Sequence, residues 1–136
     1  MTWLVERLAE LRRHLEHLRE LRPKVSGAEA LEEDMSLHND VLFSLLSVAQ
    51  LVIDVAGELS SRAGLTFDDY TSAVRNLRKI GGFPDDLVEA LSRLPGFRNV
   101  LLHEYLEMDL AHAVRALDEL EPVDDFVRIV AGMLEE

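Results

Sequence analysis

Cysteine is absent from the 136-residue chain. That excludes a disulfide frame and a thiolate zinc site, and it makes a reducing interior the simplest setting. No run of strictly alternating apolar and polar residues occurs, so strands are not expected. Internal repeats, low-complexity tracts and long linkers are also missing, which leaves one compact unit over residues 1–136 as the expected organisation. The first residues, MTWLVERLAELRRH, interrupt their apolar side chains with charges and do not read as a signal peptide. No apolar run approaches the roughly 20 residues of a membrane span. A cytoplasmic protein is the expectation.

Basic charge is also scarce. Fourteen Lys and Arg face 26 Asp and Glu, for a net charge of -12, which argues against a general nucleic-acid binder with a broad basic face. The deficit is uneven. Residues 1–24 carry six basic and four acidic side chains and residues 71–103 five and three, whereas 25–70 carry one and nine, and 104–136 two and ten. An anion can therefore still be attracted locally in the first and third blocks, although solvated helix faces would produce the same pattern.

What is present is helical periodicity. Leu4, Leu8, Leu11, Leu15 and Leu18 step by four and three along a first helix that should end near Pro23. After Ser26-Gly27, the series Leu31, Met35, His38, Leu42, Leu45, Ala49, Val52, Ala56 and Leu59 predicts one long helix. Leu37, Val41, Val48, Leu51 and Val55 add a second stripe, so this helix should be covered on two sides. Gly64 breaks it. Thr66 reads as a cap ahead of Asp68 and Asp69, and Ala73, Val74, Leu77 and Ile80 predict a third helix stopped by Gly81-Gly82. Pro84-Asp85-Asp86 opens a short fourth, Pro95-Gly96 separates it from the next, and further helices are expected over Leu110–Leu120 and from Pro122 to about Leu134. The expected fold is all-α, an up-and-down bundle of four to five main helices.

Within this pattern the stretch RNVLLHEY, residues 98–105, is anomalous, because it sets a cation, an amide, an imidazole and a phenol among leucines. At about 100° per residue Asn99 and His103 lie one turn apart, while Arg98 and His103 are about 140° apart and flank one side of the helix. They would meet around a ligand only if a second surface closed the cleft, and a symmetric partner could supply it. Arg98 is also expected within a turn of the Pro95-Gly96 break, where free backbone amides favour an anion. A histidine near neutral pKa and an arginine suit RNA cleavage by its own 2′-hydroxyl, which needs no metal. A surface ion pair for Arg98 and a hydrogen bond for His103 would account for the same residues without any ligand.

The stretch GFRNVLLHEY followed by EMD resembles the HepT-like branch of the HEPN helical family. The likeness extends to the leucine-rich first helix, to SVAQLVIDVAGEL in the long central helix, and to FDDYTSAVRNLRKIGGFPDDLVEAL ahead of the motif. It implies a HEPN-like helical domain acting as an endoribonuclease toxin without metal or other cofactor. It further implies a homodimer whose two motif copies share a cleft. In that reading Arg98 binds the scissile phosphate, His103 acts as acid or base, and Asn99 orients substrate or the histidine. The implied partner is a minimal nucleotidyltransferase antitoxin, which in some members attaches AMP to the motif tyrosine, here Tyr105. One departure stands out: AGELSSRAGL lacks a histidine found there in many relatives. The competing expectation is a non-catalytic HEPN-type module that dimerises and docks the nucleotidyltransferase.

Among the other histidines, His38 is expected in the core or along the cleft, and His14, His17 and His112 at the surface. Asp34 with His38, and His103 with Glu107, each stand one turn apart, but neither has the paired Glu-x-x-His pattern of carboxylate di-metal bundles.

Overall fold

The computed structural model describes residues 2–103 and 107–135. Helix α1 (Thr2–Leu21) buries Leu4, Leu8, Leu11, Leu15, Leu18 and Leu21 on one stripe. It ends where Pro23 enters a 3₁₀ turn, Arg22–Lys24. Proline cannot donate a helix hydrogen bond, and beyond it the Arg22 side chain donates to the Val25 carbonyl at 2.6 Å. Its other nitrogens hold Asp118 in a bidentate pair at 2.7 and 3.0 Å, tying the end of α1 to the far end of the chain.

Helix α2 (Ala28–Glu33) and helix α3 (Met35–Arg62) correct the expectation of one continuous helix. The apolar spacing runs straight through the joint, so periodicity alone cannot see it. What breaks the chain is Asp34, whose backbone is extended and whose carboxylate accepts from the Leu37 N–H at 3.1 Å as the cap of α3. Beyond it α3 is buried along two faces, through Val41, Leu45, Val48, Val52, Val55 and Ala56 among others. It packs against α1 and, through its other sides, against α2 and the helices that follow. By length and composition α3 would suffice to cross a membrane, contrary to the sequence reading, but 56% of that stretch is buried inside the bundle. Each fully buried leucine or valine contributes about 1.5–3 kcal/mol by leaving water.

Helix α4 (Tyr70–Arg75) and helix α5 (Leu77–Ile80) replace the single third helix, with the break at Asn76. The cap is Asp69, accepting from Ser72 N–H at 2.7 Å, not Thr66. Gly81 and Gly82, both at positive φ, end α5 as expected. Helix α6 (Asp85–Leu91) follows Pro84. Helix α7 (Leu94–His103) starts earlier than the Pro95-Gly96 signal suggested, with Pro95 inside its first turn, where no N–H is required. Helix α8 (Leu110–Leu117) is three residues shorter than expected, and helix α9 (Glu121–Leu134) carries Pro122 in its first turn. The described residues form an all-α bundle with one continuous apolar core drawn from α1 through α9.

Candidate functional site

Helix α7 places Arg98 against the polar side of α3. The Arg98 Nε–H donates to Gln50 Oε1 at 2.7 Å, and its Nη1 donates to Asn99 Oδ1 at 2.9 Å. The guanidinium carbon lies 5.1 Å from the centre of the Tyr70 ring, contributed by the first residue of α4. One turn along α3, the Gln50 amide in turn donates to Asp54 Oδ1 at 2.8 Å. Gln50 and Asp54 are the two polar residues of the apolar stretch 48–56. Burying polar groups beside a core is costly unless they are paired, and here they pair with each other and with the arginine.

Arg98 lines an open cleft of about 490 Å³ between α1, α3 and α7, together with Arg7, His14, Gln50, Leu51 and Leu102. Arg7 adds a second cation at this edge, its guanidinium lying over the Trp3 ring at 4.7 Å. His14 is half-buried, with Nδ1 3.1 Å from Ser44 Oγ. Burial lowers its pKa below the ordinary histidine range, with Arg13 and His17 pushing the same way and Glu10 opposing. Glu10 lines the Arg98 cleft as well, so its cations are partly offset. Beside Asn99 a second concavity of about 410 Å³ is lined by Asp68, Asp69, Tyr70, Thr71, Pro95 and Asn99.

His103 sits at the last position of α7, exposed, and hydrogen-bonds to none of the described residues. It lines neither concavity. Leu102, 38% exposed, lies between it and the Arg98 cleft. The chain therefore brings Arg98 and Asn99 into contact but does not bring His103 to them. The expected anion site at free backbone amides is also displaced. Arg98 is the fifth residue of α7, and the Phe97 N–H before it is already bonded to the Arg93 carbonyl at 3.2 Å. The Tyr105 expectation lies outside the described residues.

The remaining histidines differ partly from expectation. His38 is only partly buried, with Nδ1 3.3 Å from Asn39 Oδ1, because the break at Asp34 puts it in the first turn of α3, at the margin of the bundle. His17 pairs with Asp40 at 2.8 Å, and exposed His112 packs on the Phe97 ring at 5.0 Å. Sequence reasoning missed Gln50, Asp54, Tyr70, Arg7 and His14. The signal for the first two was available, since the chain's only glutamine stands one turn before an aspartate in an apolar helix. No local signal marks Tyr70.

A family model described as Ribonuclease HepT-like matches residues 11–130. A relative in Archaeoglobus fulgidus is 27% identical over 97 residues, covering 71% of this chain and 74% of its own. The mRNA nuclease HepT of Shewanella oneidensis is 20% identical over 133 residues, covering 93% and 95%. Among solved structures, a tri-AMPylated Shewanella oneidensis HEPN toxin in complex with an MNT antitoxin superposes with a TM-score of 0.83 at 19% identity, covering 95% of this chain and 96% of that one. A toxin–antitoxin structure with AMP-PNP gives a TM-score of 0.80 at 18% identity, covering 93% and 96%.

Proposed function

Because the chain belongs to the ribonuclease HepT-like family, we propose that it is a metal-independent endoribonuclease toxin, a single HEPN-like domain over residues 1–136, acting in the cytoplasm as a homodimer. The observation that carries this reading is the held arginine. Arg98 faces an open cleft with one edge tied to Gln50 and one nitrogen to Asn99, leaving Nη2 without a partner among the described residues. That is the arrangement expected of a group waiting for an anion.

In this reading the RNA 2′-oxygen attacks the adjacent phosphorus and the bond to the 5′-oxygen breaks, leaving a 2′,3′-cyclic phosphate and a free 5′-hydroxyl. Arg98 offsets the negative charge that grows on the phosphoryl oxygens. His103 takes the proton from the 2′-hydroxyl or delivers one to the departing 5′-oxygen. Since His103 stands apart from Arg98 in one chain, the imidazole that completes the site comes from a second copy. The apolar margin of the cleft, with Leu102 and Leu51, favours such a contact. Asn99 fixes the guanidinium and orients substrate. A nucleotidyltransferase antitoxin silences the site by transferring AMP from ATP to the Tyr105 hydroxyl with release of pyrophosphate, and the added phosphate opposes an RNA phosphate by charge and volume.

The test is RNA cleavage in EDTA by wild type, Arg98→Ala, His103→Ala and an equimolar mixture of the two variants after subunit exchange. Each variant alone is expected to be inactive. In the mixture, heterodimers hold one site with both intact groups, restoring about a quarter of wild-type activity if exchange is statistical. Undiminished cutting by His103→Ala would falsify its role, and a mixture that stays inactive sinks the shared cleft. The same protein, incubated with the nucleotidyltransferase and ATP, is expected to gain AMP on Tyr105, whereas Tyr105→Phe gains none. The docking-module alternative rests on the net charge of -12, which slows encounter with RNA. It predicts no cleavage by any form while dimerisation and antitoxin binding persist.

A further inference from the structure

We infer that Gln50 and Tyr70 form a clamp that sets which edge of the Arg98 guanidinium faces the ligand, making them positioning residues for the site. The inference rests on the reading of Arg98 as the phosphate-holding group. An arginine presents two forks to a phosphate, a side-on pair made by Nε and the nearer Nη, and an end-on pair made by the two Nη atoms. Here the Nε–H is committed to Gln50 Oε1 at 2.7 Å, so the side-on fork is closed. One Nη1 hydrogen goes to Asn99 at 2.9 Å. What remains without a partner among the described residues is Nη2, on the end-on edge, and one hydrogen of Nη1.

Three features show how the clamp keeps its geometry. Gln50 has its amide nitrogen tied to Asp54 at 2.8 Å, which fixes the carbonyl oxygen toward Arg98 rather than leaving the amide to rotate. Tyr70 holds the guanidinium plane with its ring at 5.1 Å, a contact that restricts tilt but consumes no hydrogen-bond donor. Both residues stand on separate elements, α3 and α4, so the arginine is held from two directions while its own helix supplies Asn99. A solvated surface arginine would instead sample many rotamers and lose that freedom on binding.

The test reads the guanidinium directly and the reaction separately. The Arg98 Nε–H signal, assigned by its disappearance in Arg98→Lys, is followed by proton-exchange NMR in wild type, Gln50→Ala, Tyr70→Ala and Tyr70→Phe. Loss of a charge-assisted bond is expected to speed exchange by about tenfold or more in Gln50→Ala. Tyr70→Ala is expected to mobilise the same group, and Tyr70→Phe, which keeps the ring face, to return it toward wild type. RNA cleavage is expected to fall about tenfold to a hundredfold in Gln50→Ala, in kcat and kcat/KM alike, with the thermal midpoint within a few degrees of wild type. Exchange in Gln50→Ala within twofold of wild type overturns the clamp, and so does a loss of cleavage with exchange unchanged. If wild type cuts no RNA while Gln50→Ala still frees the Nε–H, the clamp stands and the ribonuclease reading fails.

Discussion

Asn76 sits at the break between α4 and α5, 9% exposed, and its amide donates to the Thr66 carbonyl at 3.1 Å and to Ser60 Oγ at 3.3 Å. Ser60 passes the connection on, its hydroxyl lying 2.8 Å from the Ala56 carbonyl and 3.2 Å from that of Ala73. The network fastens the 63–69 loop to α3 and so helps place Tyr70, the first residue of α4, beside Arg98. Replacing Asn76 with Ala removes one good and one longer hydrogen bond and leaves a partly buried carbonyl without its donor, a loss of about 1–2 kcal/mol. Replacing it with Asp is expected to cost more at neutral pH, by a further ~1–3 kcal/mol, since an ionised carboxylate faces the Thr66 carbonyl with nothing to donate. The two substitutions separate by pH. The carboxyl that N76D introduces is protonated more readily in the fold than in the unfolded chain, so its folded pKa lies above the ordinary carboxylate value near 4. The extra penalty is then absent below that value and grows as pH rises through it toward the folded pKa. Urea unfolding followed by circular dichroism at pH 4 and pH 7 checks this. An N76D protein as stable as N76A at pH 7, or one whose deficit relative to N76A does not shrink at pH 4, refutes the reasoning.

Two further outcomes follow from the packing. His14 has its pKa lowered by burial, so the stability it contributes is present above the unfolded histidine value of about 6.5 and is lost as pH falls through the depressed folded value; a stability profile from pH 7 to 4 in which His14→Gln shows the same slope as wild type would remove this account. Gly57 lies inside α3, where an added Cβ would meet the tip of the Phe67 ring at 3.4 Å. That ring is 38% exposed and able to yield, so Gly57→Ala is expected to raise stability by about 0.5–1 kcal/mol. A lowered urea midpoint would show instead that the ring is held.

The helical stripes of α1 and α3, the glycine stop after Ile80 and the proline starts of α6 and α9 were legible along the chain, because each rests on contacts or dihedrals a few residues apart. The motif residues were legible as a local anomaly for the same reason. Helix joints were less so: the apolar period continues through Asp34 and Asn76, and what ends the helix there is a side chain bonding to its own backbone or across to a distant loop. Only the tertiary structure could decide what holds Arg98, since Gln50 is 48 residues away and Tyr70 lies on a third element. Helical spacing could state that Arg98 and His103 diverge by about 140°. That this divergence leaves Arg98 in a cleft and His103 outside it depended on where α1 and α3 pack, a matter of long-range burial that no local pattern encodes.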